Sequence, residues 1–204
     1  MLNFLLDEIF VGREYENSKV ALAEGDIVVD CGAHVGVFAR FALARAAARV
    51  VCVEMEELNF SCLQQNLGCE GGRVLALQAA LWSRPGRLNF IRESESWGHR
   101  LDEAEASAVQ RETETLDHLI ARIGLPRVDF IKIDVEGAEP EVLEGALETI
   151  RRHGPKLALA VYHRLDEEEK IRQLFNQNSL RYDLSYRHLS GRGASILFAR
   201  SARR

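Results

Sequence analysis

The run Ile27-Val28-Val29-Asp30-Cys31-Gly32-Ala33-His34-Val35-Gly36 constrains the chain most, because an apolar stretch gives way to two spaced glycines directly before an Ala-rich segment. This reads as a strand feeding a turn that opens a helix. Glycine lets backbone approach a ligand closely, and the N–H groups at the helix start favour polar groups, carboxylates or phosphates above all. A second strand, Arg49 to Val53, ends in Glu54, 24 residues after Asp30. That spacing suits a carboxylate gripping two ribose hydroxyls. Together the two features read as a nucleoside site.

The same turn argues against one cofactor class. A dinucleotide fingerprint, G-x-G-x-x-G, laid on Gly32 requires glycines where this chain has His34 and Val37, so a pyrophosphate fits poorly and a nicotinamide-dependent oxidoreductase is disfavoured. The pattern D-x-G-x-x-x-G followed by an acidic strand end resembles the first two motifs of an S-adenosylmethionine-dependent methyltransferase.

At 204 residues the chain fits a single domain, 1–204, with residues 1–24 as an N-terminal lead-in. Its net charge of −5 speaks against a nucleic-acid partner. The basic tail from Arg192 to Arg204 reads as a solvated chain end. Met1 to Val11 carries Asp7 and Glu8 and no leading positive cluster, and no apolar run approaches the ~18 residues of a membrane span, so a cytoplasmic location without membrane insertion is expected. Cys31, Cys52, Cys62 and Cys69 lack C-x-x-C pairing and read as reduced, structural residues.

Apolar runs alternate with helical patterns: strands near 27–31, 49–54, 73–78, 128–133 and 157–162, helices near 35–46, 57–67, 115–123, 140–152 and 166–178. Such alternation predicts an α/β fold whose parallel sheet is covered on both faces. Two further strands, Arg181 to His188 and Ala194 to Ala199, flank Ser190-Gly191-Arg192-Gly193 and read as a closing hairpin. Residues 84–114 break the rhythm. Pro85-Gly86 makes a turn, Leu88 to Arg92 a short strand, and the polar Glu93–Ala106 stretch around Trp97-Gly98-His99 reads as an inserted flap facing substrate.

A second constellation lies at Phe130-Ile131-Lys132-Ile133-Asp134-Val135-Glu136-Gly137-Ala138-Glu139-Pro140. It places carboxylates at the carboxyl end of a central strand, the edge where open α/β sheets bind ligands. Pro140 suits a first helical turn, and Glu139 and Glu141 sit where the helix dipole favours negative charge, a structural role. Asp134 and Glu136 precede the helix and are functional candidates.

With these residues the chain resembles the FkbM family of methyltransferases over nearly its whole length. The resemblance rests on the Asp30-to-Gly36 turn, Glu54 with Asn66 closing the next helix, Thr115-Leu116-Asp117, and the distinctive Ile131-to-Glu139 run. Tyr162-His163, Tyr182 and Arg187-His188 add to it. It departs in carrying His34 where the family usually has Asn, and Met55 where Pro commonly follows the acidic residue.

The resemblance implies a Rossmann-like class I methyltransferase fold: a mostly parallel seven-stranded sheet with a reversed last strand and helices on both faces. It implies S-adenosyl-L-methionine as cofactor and O-methylation of a hydroxyl on a sugar, glycolipid or secondary metabolite, so the partner is a small-molecule or glycan hydroxyl acceptor. By resemblance and position, Asp30, Gly32, Ala33, His34 and Gly36 border the methionine part, and Glu54 accepts from the ribose. Met55 touches the adenosine, Ala80 and Trp82 lie near the adenine, and Asp134 completes the cofactor set. Trp82 reads equally well as a core aromatic.

His163 is the leading proton acceptor, since imidazole titrates near neutrality; a loop-capping histidine is the alternative. Asp134 and Glu136 either orient the hydroxyl, orient His163 or hold a divalent cation. With no fixed ligand set, no metal is assigned. His99 and Trp97 are candidates for meeting the acceptor from the flap, and Arg187-His188 for reading an anionic group. A catalytically inactive, methyltransferase-like nucleoside-binding module is the alternative from a different functional class.

Overall fold

The computed structural model describes residues 2–93, 98–103, 109–189 and 194–202. Seven strands form the main sheet in the order β10-β11-β9-β8-β1-β2-β3. They are β1 (Ile27–Cys31), β2 (Arg49–Glu54), β3 (Val74–Gln78), β8 (Phe130–Ile133), β9 (Lys156–Ala160), β10 (Tyr182–Leu189) and β11 (Ala194–Ser201). Strands β1, β2, β3, β8 and β9 pair in parallel, while β11 runs antiparallel to both β9 and β10. This is the Rossmann-like methyltransferase architecture with one reversed strand. Among the described residues, no helix is long and apolar enough to cross a membrane.

Period-two alternation along the strands fills a core on each face. Val28 and Phe130 point toward Phe38 and Phe41 of α2 (Val37–Ala44) and Leu63 and Leu67 of α3 (Glu57–Leu67). Val29, Ile131 and Ile133 point the other way, toward α4 (Leu116–Ile123), α5 (Glu139–Glu144), α6 (Leu147–His153) and α7 (Glu167–Gln177). Asp30 and Lys132 are register partners on β1 and β8, and their side chains meet in a buried ion pair at 3.0 Å. Lys132 Nζ also donates to the Gly32 carbonyl at 2.9 Å and lies 5.2 Å from the centroid of the Tyr15 ring. A charged residue inside an apolar strand is thereby compensated on several sides.

Two local expectations change. The helix expected over 140–152 is two helices, because at Gly145 the chain presses so close to the Trp82 carbonyl that a Cβ would lie 2.3 Å from its oxygen. Asp117 then caps the second of them, accepting from the N–H groups of Glu148 and Thr149 at 2.9 and 2.7 Å, while Thr115 caps α4 by accepting from the His118 N–H. These two caps give the Thr115-Leu116-Asp117 motif its physical content.

The segment 84–114 holds more than one strand. Its strands β5 (Gly86–Ile91), β6 (Arg100–Asp102) and β7 (Gln110–Glu114) join β4 (Ala80–Leu81), just before the segment, in a second sheet ordered β4-β7-β5-β6. Phe90, Leu101, Trp82 and Ala80 form its core, too small and too interrupted by polar residues to show a sequence period. Residues 94–97 and 104–108, including Trp97, and the expected turn at 190–193 lie outside the described residues. A short helix, α1 (Leu2–Leu6), continues through Asp7–Val11, and Ile9 and Tyr15 pack with the α2 side of the core.

Candidate active site

A cavity of about 460 Å³ opens at the carboxyl ends of the central strands. The turn after β1, the end of β2, the loops after β8 and β9, and the N-terminal segment enclose it. At its base, Gly32 has φ +76°, and a Cβ there would stand 1.8 Å from the Asp134 carbonyl oxygen. Only glycine allows the two loops to meet this closely. The N–H groups of Gly32 and Ala33 both donate to the Val53 carbonyl at 3.0 Å, tying the turn to β2 as well.

Glu54 reads the turn directly. One carboxylate oxygen accepts from the His34 N–H and the other from the Glu56 N–H, each at 2.8 Å. Burial raises its pKa above the ordinary carboxylate value, against the lowering effect of those two N–H groups. Both oxygens retain further acceptor capacity on the cavity wall.

The opposite wall gathers Asp134, Glu136 and His163. His163 Nε2 lies 3.2 Å from Glu136 Oε2 and 3.7 Å from Asp134 Oδ1, while its Nδ1 lies 3.0 Å from Glu139 Oε1. Tyr15 donates its hydroxyl to Asp134 Oδ2 at 2.6 Å, leaving Oδ1 buried and accepting no hydrogen bond among the described residues. Glu136 reaches this position with φ +57°, a left-handed conformation that non-glycine residues seldom adopt.

Burial by itself lowers the His163 pKa, but the Glu139 hydrogen bond and the charges of Glu139, Asp134 and Glu136 outweigh it and raise the pKa to about 10. Burial and the Asp134 charge push Glu136 up to about 8. Asp134 moves the other way: burial raises it, yet Lys132, His163 and the Tyr15 hydroxyl together hold it below the ordinary value. Ligand atoms of Asp134, Glu136 and His163 lie within 4.8 Å of one another, as do those of Glu139, His163 and Glu167.

Of the residues singled out from sequence, Gly32, Ala33, His34, Glu54, Met55, Asp134, Glu136 and His163 all line this one cavity, as does His99. Asp30, Gly36, Ala80 and Trp82 do not. Asp30 is fully buried against Lys132, Gly36 packs on Leu63 and Leu67, and Ala80 and Trp82 belong to the core of the small sheet. Arg187 donates to the Arg13 carbonyl at 2.9 Å, and His188 Nδ1 lies 2.7 Å from Ser195 Oγ; neither faces the cavity. Glu139 does more than complement a helix dipole. It is fully buried and accepts from the Val135 and Gly137 N–H groups at 2.9 and 3.0 Å, shaping the loop that carries Glu136.

Lys132, Glu14 and Tyr15 were not foreseen. Lys132 had a signal, a lysine within an apolar strand in register with Asp30. The other two had none, since only the path of the folded chain brings them to the wall.

Glu14 is 6% exposed, and its carboxylate makes no hydrogen bond among the described residues. Burial first, then the Asp134 charge, raises its pKa from 4.5 to about 7, with Arg187 and Lys132 opposing. The folded chain therefore holds this proton more tightly than the unfolded chain, and stability falls as pH rises between those two values. In chelator-treated protein, Glu14→Gln is expected to add about 3 kcal/mol at pH 8, with the gain closing toward pH 4.5. Urea denaturation at both pH values checks this, and a variant no more stable than wild type at pH 8 contradicts it.

The Methyltransferase FkbM domain matches residues 30–184. The chain belongs to the FkbM methyltransferase family. One FkbM relative, the 31-O-demethyl-FK506 methyltransferase of Streptomyces tacrolimicus, is 29% identical over 177 residues, covering 70% of this chain and 67% of that protein. The 2-O-methyltransferase NoeI of Sinorhizobium fredii is 26% identical over 145 residues, covering 62% of this chain and 59% of its own length. The crystal structure of Methyltransferase FkbM from Methylobacillus flagellatus superposes with a TM-score of 0.70 at 22% identity, covering 88% of this chain and 44% of that one. Of the curated relatives it matches, the chain spans from 10% of the length of AmbE of Pseudomonas aeruginosa to 68% of methyltransferase sdnD of Sordaria araneosa.

Proposed function

We propose that this FkbM-family chain is an S-adenosylmethionine-dependent O-methyltransferase acting on a hydroxyl of a small molecule or glycan. The observation carrying this reading is that the glycine turn, Glu54 and the Asp134–Glu136–His163 wall share one cavity. Its size falls in the range of small-molecule sites. Carboxylates from Glu14, Asp134 and Glu136 suit a cationic cofactor, and Glu54 keeps acceptor capacity for ribose hydroxyls. The O-methyl relatives support a hydroxyl acceptor.

Gly32, Ala33 and His34 would hold the methionine part, Glu54 the ribose, and Met55 the adenosine. When bound, the cofactor supplies an electrophilic methyl group. Asp134, Glu136 and His163 would receive the acceptor hydroxyl, align it and promote loss of its proton. Tyr15 fixes the Asp134 carboxylate, and Glu139 fixes the imidazole, so the wall is oriented before substrate arrives. Phe4, Leu5 and Ile9 of the N-terminal segment line the cavity and would limit competing water beside the bound cofactor.

His163→Ala is expected to bind S-adenosylmethionine nearly as wild type while slowing single-turnover methyl transfer about 100-fold or more. Calorimetry and transfer of labelled methyl to a panel of sugar and glycolipid hydroxyls measure the two effects. An unchanged transfer rate removes His163 from the reaction.

A further inference from the structure

We infer that Asp134 Oδ1, Glu136 Oε2 and His163 Nε2 form a divalent-cation site on the acceptor wall, for a hard ion of the Mg²⁺ or Mn²⁺ type. The three side chains present two carboxylates and one imidazole to a common point, with ligand atoms within 4.8 Å of one another. Oxygen-rich sets with a single imidazole suit such ions.

The groups behind the ligands are arranged as metal sites require. A ligating imidazole ordinarily gives its other ring N–H to a carboxylate, and His163 Nδ1 lies 3.0 Å from Glu139 Oε1. Glu139 is itself fully buried and pinned by two backbone N–H groups. On the other side, the Tyr15 hydroxyl occupies Asp134 Oδ2 and turns Oδ1 toward the imidazole.

Two observations point to a cation there beside the cofactor's own charge. Asp134 Oδ1 is buried and accepts no hydrogen bond among the described residues. Glu14, 6% exposed, brings a further carboxylate to the same cavity with no hydrogen-bond partner among the described residues. Lys132, the lysine on this wall, is already committed to Asp30 and the Gly32 carbonyl.

The inference rests on the proposed methyl transfer for its role. Held by these three side chains, the ion would lower the pKa of the acceptor hydroxyl; its proton would leave to water, and the oxygen–carbon bond would form as the carbon–sulfur bond breaks, with that electron pair going to sulfur.

The test uses the full chain, stripped with chelator and titrated with Mn²⁺ alone while electron paramagnetic resonance follows the free ion. One saturable site per chain is expected, displaced by Mg²⁺ and weakened at least about 10-fold in Glu136→Gln and in Asp134→Asn. Tyr15→Phe, which only frees Asp134 Oδ2, is expected to weaken it less. Methyl transfer should fall in chelator and return with Mg²⁺ or Mn²⁺. Absence of saturable binding at millimolar Mn²⁺, binding indifferent to both carboxylate variants, or transfer indifferent to chelator overturns the inference. S-adenosylmethionine titration in chelator reads the functional proposal separately: cofactor binding and methyl transfer without Mn²⁺ binding would sink the cation site and leave the methyltransferase standing. Circular dichroism reports whether each variant is folded.

Discussion

Glu54→Ala loses affinity for S-adenosylmethionine by at least about 100-fold, the largest binding effect expected of any single substitution in this chain. Two hydrogen bonds from ribose hydroxyls to a charged acceptor are each worth about 1.5–3 kcal/mol, which already accounts for the figure. The carboxylate also holds the His34 and Glu56 N–H groups at 2.8 Å, so its removal loosens the turn that borders the methionine part. Glu54→Gln is no remedy, because an amide has one acceptor oxygen and would aim its NH₂ at one of those N–H groups. Calorimetric titration decides the matter. Wild-type affinity in the alanine variant would remove the nucleoside assignment.

Gly32→Ala costs the fold about 4 kcal/mol or more, and it does so without touching an apolar contact. The position has φ +76°, and the added methyl would sit 1.8 Å from the Asp134 carbonyl oxygen, a distance that only movement of β1 or β8 relieves. Either movement also disturbs the Lys132 bond to the Gly32 carbonyl and the two bonds to the Val53 carbonyl. A denaturant midpoint close to wild type would show that the loops can separate freely. That outcome would contradict the close packing described for the turn.

The sheet and half of the site were legible because they follow from short-range rules. Alternating strands and helices announce a parallel sheet, and glycine at Gly32 with an acid at Glu54 announces a ligand edge. What escaped depends on where distant segments land. Nothing in Arg13-Glu14-Tyr15-Glu16 marks the tyrosine as the partner of Asp134, 119 residues away. Asp30 looked like a ligand-binding acid because it opens the turn, yet strand alternation turns it toward Lys132. Trp82 looked like an adenine neighbour by its place after the third strand, but the small sheet, invisible to periodicity, claims it for its own core.

The bond from Arg187 to the Arg13 carbonyl joins β10, the outermost strand of the main sheet, to the residue just before Glu14 and Tyr15. The hairpin edge thus acts as a tether for the segment that orients Asp134. Disturbance at that remote border is expected to reach Asp134 along the short covalent path from Arg13 to Tyr15.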